Sequence, residues 1–176
     1  MKKNLIALVI VSVATLGGIS GANAQIVSNS GSLEYQMNAT ETKISMNEPA
    51  AISSRALRDF EYTNKNVAGE SWTKLKDGFS VRFNSEGVRT AIYYDKKGNR
   101  SASIKIYGEE KMQHEIRHIV KSTYYDYNIL YTQEIETLDS DGVPTYIVCV
   151  DDKTKIKMIM IHDGEMSIWK EFKKTN

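Results

Sequence analysis

The chain has 176 residues, with 23 Lys and Arg against 22 Asp and Glu for a formal net charge of +1, and it is 41% hydrophobic and 26% charged. That is the composition of a globular chain long enough for one ordinary domain or two small ones. It excludes collagen, a disulfide scaffold and wholesale disorder, and it carries neither the basic footprint of a nucleic-acid binder nor a polyacidic tail.

Residues 1–24 read as a secretory signal peptide. Lys2-Lys3 is a cationic start, Leu5 to Leu16 is an apolar run interrupted only by Ser12 and Thr15, and Gly17-Gly18 breaks it before the small-residue cut site Ala22-Asn23-Ala24. The run is shorter than the roughly 20 apolar residues a spanning helix needs. No Cys follows the cut, so the mature chain is expected to be exported, periplasmic or secreted, with no membrane anchor after cleavage. Removing Lys2 and Lys3 leaves 21 basic and 22 acidic residues, a net charge of −1, which further disfavours nucleic acid. Cys149 is the sole cysteine, so an intramolecular disulfide is impossible, and within Ile147-Val148-Cys149-Val150 it reads as a buried thiol.

Residues 25–48, rich in Ser, Asn, Thr and Glu, read as an extended or partly ordered lead-in. A first unit spans 49–108. Asn47 can cap a helix whose first turn holds Pro49, Ile52, Ala56, Leu57 and Phe60 recur at helical spacing, and Asn64-Lys65-Asn66 ends it. Period-two segments follow: Trp72 to Leu75, then Phe79, Val81 and Phe83 alternating with Ser80, Arg82 and Asn84, then Val88 to Tyr94, then Ser101 to Tyr107. Asp77-Gly78, Glu86-Gly87 and Lys97-Gly98-Asn99 punctuate them where hairpins need turns.

A second unit spans 109–176. Met112, Ile116, Ile119, Val120, Thr123 and Tyr124 define an apolar helical face, and after Tyr127-Asn128 come strands near Ile129 to Leu138, Thr145 to Val150, Lys155 to His162 and Met166 to Phe172. Asp95 and Asp163 lie 68 positions apart, and Phe79 and Tyr146 lie 67 apart, an offset that argues for a duplicated unit. The expected fold is α+β: two tandem units, each a helix packed on an antiparallel meander sheet of about four strands.

These residues carry a resemblance. Trp72, Asp77-Gly78-Phe79, Phe83, Gly87, Tyr94-Asp95-Lys96-Lys97-Gly98-Asn99 and Glu115-Ile116-Arg117 through Tyr124-Tyr125-Asp126-Tyr127-Asn128-Ile129 resemble the β-lactamase-inhibitor-like, PepSY-like family of exported bacterial proteins over roughly Ile52 to Phe172. The second helix departs from the pattern, with Met112-Gln113 where members often have Leu-Pro. The resemblance implies two small helix-on-sheet units similar in plan to secreted inhibitors that grip an enzyme with a concave sheet; it does not imply inhibition of a β-lactamase, because fold does not fix function.

His114-Glu115-Ile116-Arg117-His118 matches the H-E-x-x-H pattern, in which two imidazoles on one helical face hold zinc and the glutamate acts as general base. At about 100° per residue, however, His114 and His118 point away from the apolar face and toward water, and no third ligand follows in a recognisable motif. His162, Glu134 and Glu136 fall on strands. Asp139-Ser140-Asp141-Gly142 lacks the later ligands of a calcium loop and reads as a hairpin turn. The tyrosines of Tyr124 to Asn128 read as a helix end with Tyr124 inward. No phosphate loop, nucleophile elbow or paired-carboxylate constellation is visible, and no cofactor is implied.

The expected function is therefore that of a non-enzymatic exported module binding a protein or peptide through an open sheet face. Arg82, Arg89 and Tyr93, opposite the inward Phe79, Val81, Phe83 and Ile92, and Trp169, beside Ile168, are the candidate binding residues, being of the types that anchor interfaces. The alternatives are a zinc-dependent hydrolase using His114 and His118, or a regulator of a peptidase suggested by the PepSY-like resemblance.

Overall fold

The computed structural model describes residues 42–43 and 52–174; the expected signal peptide, nearly all of the lead-in and the Asn47-to-Pro49 helix start lie outside them. The elements are β1 (Thr42–Lys43), α1 (Ser54–Thr63), β2 (Ser71–Leu75), β3 (Gly78–Ser85), β4 (Val88–Asp95), β5 (Arg100–Tyr107), a 3-10 turn (Glu109–Lys111), α2 (His114–Thr123), β6 (Asn128–Thr137), a second 3-10 turn (Leu138–Ser140), β7 (Thr145–Asp151), β8 (Lys155–His162) and β9 (Glu165–Lys173). The strands form one antiparallel sheet in the order β1 to β9, each pairing with the next.

The register fixes where the helices sit. Ile92 opposes Ser103, Ser103 opposes Glu136, Glu134 opposes Tyr146, and Tyr146 opposes Ile161. Directly opposed residues point to the same face of a sheet. Ile92 packs in the cluster that holds α1 and Ile161 in the cluster that holds α2, so both helices cover one face. The expected α+β class holds: among the described residues eight long strands lie in one continuous sheet with two helices on one face.

Under α1, Ala56 and Phe60 bury against Trp72, Phe79, Val81, Ile92 and Tyr94. Phe60 meets Trp72 edge-on at 5.6 Å and Phe83 at 5.5 Å, and Trp72 stacks on Tyr94 at 5.8 Å. Rings in these arrangements contribute about 0.5–1.5 kcal/mol beyond the area they bury. The Tyr94 hydroxyl donates to Asp59 Oδ2 at 2.8 Å, tying the helix to the sheet. Phe83, expected to fill this core, is only half-buried at its margin. Under α2, Val120 buries against Tyr146, Val148, Val150, Ile159 and Ile161, flanked by Ile116, Ile119 and Tyr124; Thr123, expected on that face, is exposed.

Several boundaries differ from expectation. α1 starts at Ser54 with Ser53 before it, and no side chain caps it. What fixes this end is a close approach: a Cβ on Gly98, in the turn between β4 and β5 at φ +80°, would strike Ser53 Oγ and lie 2.9 Å from Ala56 N. α2 starts at His114, because Met112 and Gln113 are extended, with ψ 143° and 139°. The segment expected to be a hairpin turn at Asp139 to Gly142 does join the antiparallel-paired strands β6 and β7; it includes the end of the 3-10 turn Leu138–Ser140, closed by Ser140 Oγ donating to Thr137 O at 2.7 Å, with Asp141 left-handed at φ 47°. Among the described residues no helix is long and apolar enough to cross a membrane.

Candidate binding face

Since α1 and α2 share one side of the sheet, no described helix lies over the other. Its side chains fall in rows that run across the strands. Arg82, Ala91, Ile104 and Ile135 oppose one another in turn from β3 to β6. The next row runs Arg89, Ile106, Gln133, Ile147 and Met160 from β4 to β8. A shorter one runs Tyr131, Cys149 and Met158. The first row thus has an apolar run with an arginine at its β3 end, and the second is apolar but for Gln133, with an arginine at its β4 end. Arg89 is exposed, Arg82, Ile104, Ile106, Ile135, Met158 and Met160 are half-buried, and Ile147 and Cys149 are buried. Burial pushes the Cys149 thiol pKa up, which outweighs a hydrogen bond with Tyr131 that lowers it. Cys149 is thus held as the neutral thiol, without the electropositive setting of a nucleophile.

Of the four sequence-derived candidates, Arg82, Arg89 and Tyr93 lie on the adjacent strands β3 and β4 with side chains on this face. Trp169 does not join them. It sits on β9, five strands from β4, roughly 24 Å at the usual strand spacing. It is also the extra residue of a β-bulge, where Met158 opposes Lys170 and Ile159 opposes Ile168, so the simple alternation expected for it fails there. Lys170 Nζ stands 4.4 Å over its ring.

His114 and His118 are exposed on the outer side of α2, their rings parallel within 2° and 6.4 Å apart. Among the described residues no group of three or more His, Cys, Asp and Glu could hold a metal ion, so the third ligand of a zinc peptidase is not brought to them. His162 is elsewhere, Nδ1 at 3.0 Å from Thr145 Oγ1. In the tyrosine cluster, Tyr124 and Tyr127 meet edge-on at 5.3 Å with Lys157 Nζ 5.2 and 5.5 Å over their rings, while Tyr125 is exposed. A hydrogen bond to Asp152 pushes the Tyr127 hydroxyl up to about 12.

Two features escaped the sequence reading. One is the apolar floor, and it had a signal: Tyr146-Ile147-Val148-Cys149-Val150 and Met158-Ile159-Met160-Ile161 are apolar at both parities, as in strands with two apolar faces. The other lies on the helix side of β5 and β6, between the two cores. Glu134, 7% exposed, accepts from Lys105 Nζ at 2.7 Å and Tyr107 hydroxyl at 2.8 Å, and Lys105 also reaches Glu136 at 3.4 Å. Burial and the Glu134 carboxylate both raise the Tyr107 pKa.

Solved structures share this architecture. A DUF2874 family protein from Bacteroides ovatus aligns with a TM-score of 0.55 at 9% identity, covering 69% of this chain and 87% of that one. A BLIP-like protein from Bacteroides fragilis aligns with a TM-score of 0.53 at 13% identity over 70% and 88%. A candidate periplasmic protein from Bacteroides eggerthii gives 0.54 at 10% over 69% and 88%. The chain has their fold. The β-lactamase-inhibitor-like resemblance read from the sequence is therefore met at the level of architecture. No family model and no curated protein matches the sequence.

Proposed function

We propose that this is an exported, non-enzymatic module that holds a protein or peptide partner on the sheet face opposite the helices. The observation that carries the reading is the pair of rows in which Arg82 adjoins Ala91, Ile104 and Ile135, and Arg89 adjoins Ile106, Gln133, Ile147 and Met160, a floor apolar but for Gln133. Arginine beside apolar side chains is the composition of interface centres, and flexible methionines such as Met158 and Met160 let a surface repack against its partner. The likeness to a BLIP-like protein and to a candidate periplasmic protein supports both the exported location and the absence of catalysis. Arg82, Arg89 and Tyr93 form the proposed contact group, and Trp169 a separate outlying one.

The tandem organisation belongs to the same proposal. Residues 49–108 and 109–176 are two copies of one helix-plus-four-strand unit, joined through β5 and β6, so duplication doubles the width of the face. Support comes from the two separate cores, each under its own helix.

The test is affinity capture from the native envelope with the mature wild-type chain, with an Arg89→Glu/Tyr93→Ala variant, and with Tyr62→Ala, which alters an exposed residue at the end of α1. A partner retained by wild type and Tyr62→Ala but lost by the double variant is expected. Capture that survives the double variant and fails with Tyr62→Ala would place binding on the helix side and end the reading.

A further inference from the structure

We propose that His114 and His118 form a two-histidine chelate for a divalent transition metal of the Cu(II) or Zn(II) class on the outer face of α2. Residues four apart on a helix stack on one face, and here the ring centroids are 6.4 Å apart; the rings stand parallel, and rotation of these exposed side chains turns their in-plane nitrogen lone pairs onto a shared ion. Both are exposed, and among the described residues neither has a hydrogen bond that would have to break. Ile116, Ile119 and Val120 pin the opposite face of the helix to the sheet, so the backbone spacing of the two ligands is set before any ion arrives. His162, by contrast, is engaged by Thr145.

Neutral imidazole suits Cu, Zn and Ni, and among these the intrinsic order of affinity puts Cu(II) first. Among the described residues no third His, Cys, Asp or Glu is brought to the pair, so the three-ligand set that a zinc peptidase keeps around its catalytic ion is not assembled here. Two protein ligands leave coordination positions open for water or for a donor from another molecule. The site is a surface chelate and not a hydrolytic centre, and it is independent of what the sheet face binds.

The experiment is calorimetric titration of the purified mature chain with Cu(II) and with Zn(II) in a non-chelating buffer, together with melting temperatures with and without metal. One saturable site is expected, tighter for Cu(II), with a rise in melting temperature on metal addition because only the folded helix holds both ligands. His114→Gln and His118→Gln should each weaken binding by about tenfold or more through loss of the second, pre-placed ligand, and His162→Gln should leave it unchanged. The deciding variant is Glu115→His/His118→Gln, which keeps the number of histidines but puts the rings on different sides of the helix. It should bind as weakly as the single Gln variants, while its metal-free melting temperature, like theirs, matches wild type. Equal binding by this variant, loss of binding in His162→Gln, or no saturable site in wild type would overturn the proposal.

Discussion

Glu134 shows how much rests on one side chain. It is buried in a sheet whose helix side is otherwise apolar on both flanks, and it is held by Lys105 and Tyr107. A buried ion pair adds little over a hydrophobic replacement of both partners, but removing one partner strands the other. Glu134→Ala should therefore cost about 2–4 kcal/mol in a denaturant titration, discounted because Lys105 is partly exposed. The double variant Lys105→Met/Glu134→Met should cost less than the sum of the two single changes. The pH dependence has a definite sign. Burial lowers the Lys105 pKa, but the Glu134 hydrogen bond and charge raise it by more, to a net position above 10.5. The contribution is thus complete below that value and is lost as pH rises through the folded pKa. Tyr107, whose pKa is also raised, adds loss of the same sign. The denaturation midpoint should fall between pH 10 and about 12 more steeply for wild type than for the double variant. None of this was legible in sequence, because Lys105 and Glu134 are 29 residues apart and only strand register brings them together.

At the scale of elements, the strands were legible, while the start of α2, set at His114 by the extended Met112 and Gln113, was not. Alternation and turn residues placed all eight long strands within a residue or two, since each hairpin is specified locally. The Asn47 and Pro49 signal lies outside the described residues, and the described helix begins at Ser54, where Gly98 lets the β4–β5 turn approach Ser53 and Ala56. Gly98→Ala should accordingly cost more than about 2 kcal/mol, combining a left-handed φ with a clash, and Gly69→Ala, at φ +76° with nothing within 4 Å of the new Cβ, only about 1 kcal/mol. Thermal or denaturant unfolding of the two variants side by side decides this; equal losses would mean the turn does not press on the helix. Core substitutions should rank the same way. Phe60→Ala, nearly fully buried, should cost about 3–5 kcal/mol, and the half-buried Phe83→Ala distinctly less.

For the molecule as a whole, the sequence indicated two helix-on-sheet units without deciding whether they share a sheet, and hydrogen bonding joins their strands into one. β5 pairs with β6 over Ala102 to Tyr107, so neither half presents a free edge at the junction, and the sheet should unfold as a cooperative body. The two tryptophans report on opposite ends, Trp72 on β2 and Trp169 on β9. Fluorescence of Trp169→Phe, reporting Trp72, and of Trp72→Phe, reporting Trp169, should each give a midpoint coincident with far-UV circular dichroism of the same variant. Separated transitions would show two independently folding halves. The candidate face was half legible at this scale: alternation put Arg82, Arg89 and Tyr93 on one side, but only the register shows that two of them end rows apolar but for Gln133 and that Trp169 stands far off.

The strip of Ser103, Lys105, Tyr107, Glu134 and Glu136 between the two cores has a consequence for how mutations combine. Apolar side chains transmit a packing change to whatever they touch, and here the chain of apolar contacts beneath the helices is interrupted by hydrogen-bonded polar groups. Substitutions beneath α1 and beneath α2 should then be energetically blind to each other: the losses from Val81→Ala and Ile159→Ala should sum in the double variant to within about 0.5 kcal/mol. Each core is free to drift in sequence without asking the other to compensate.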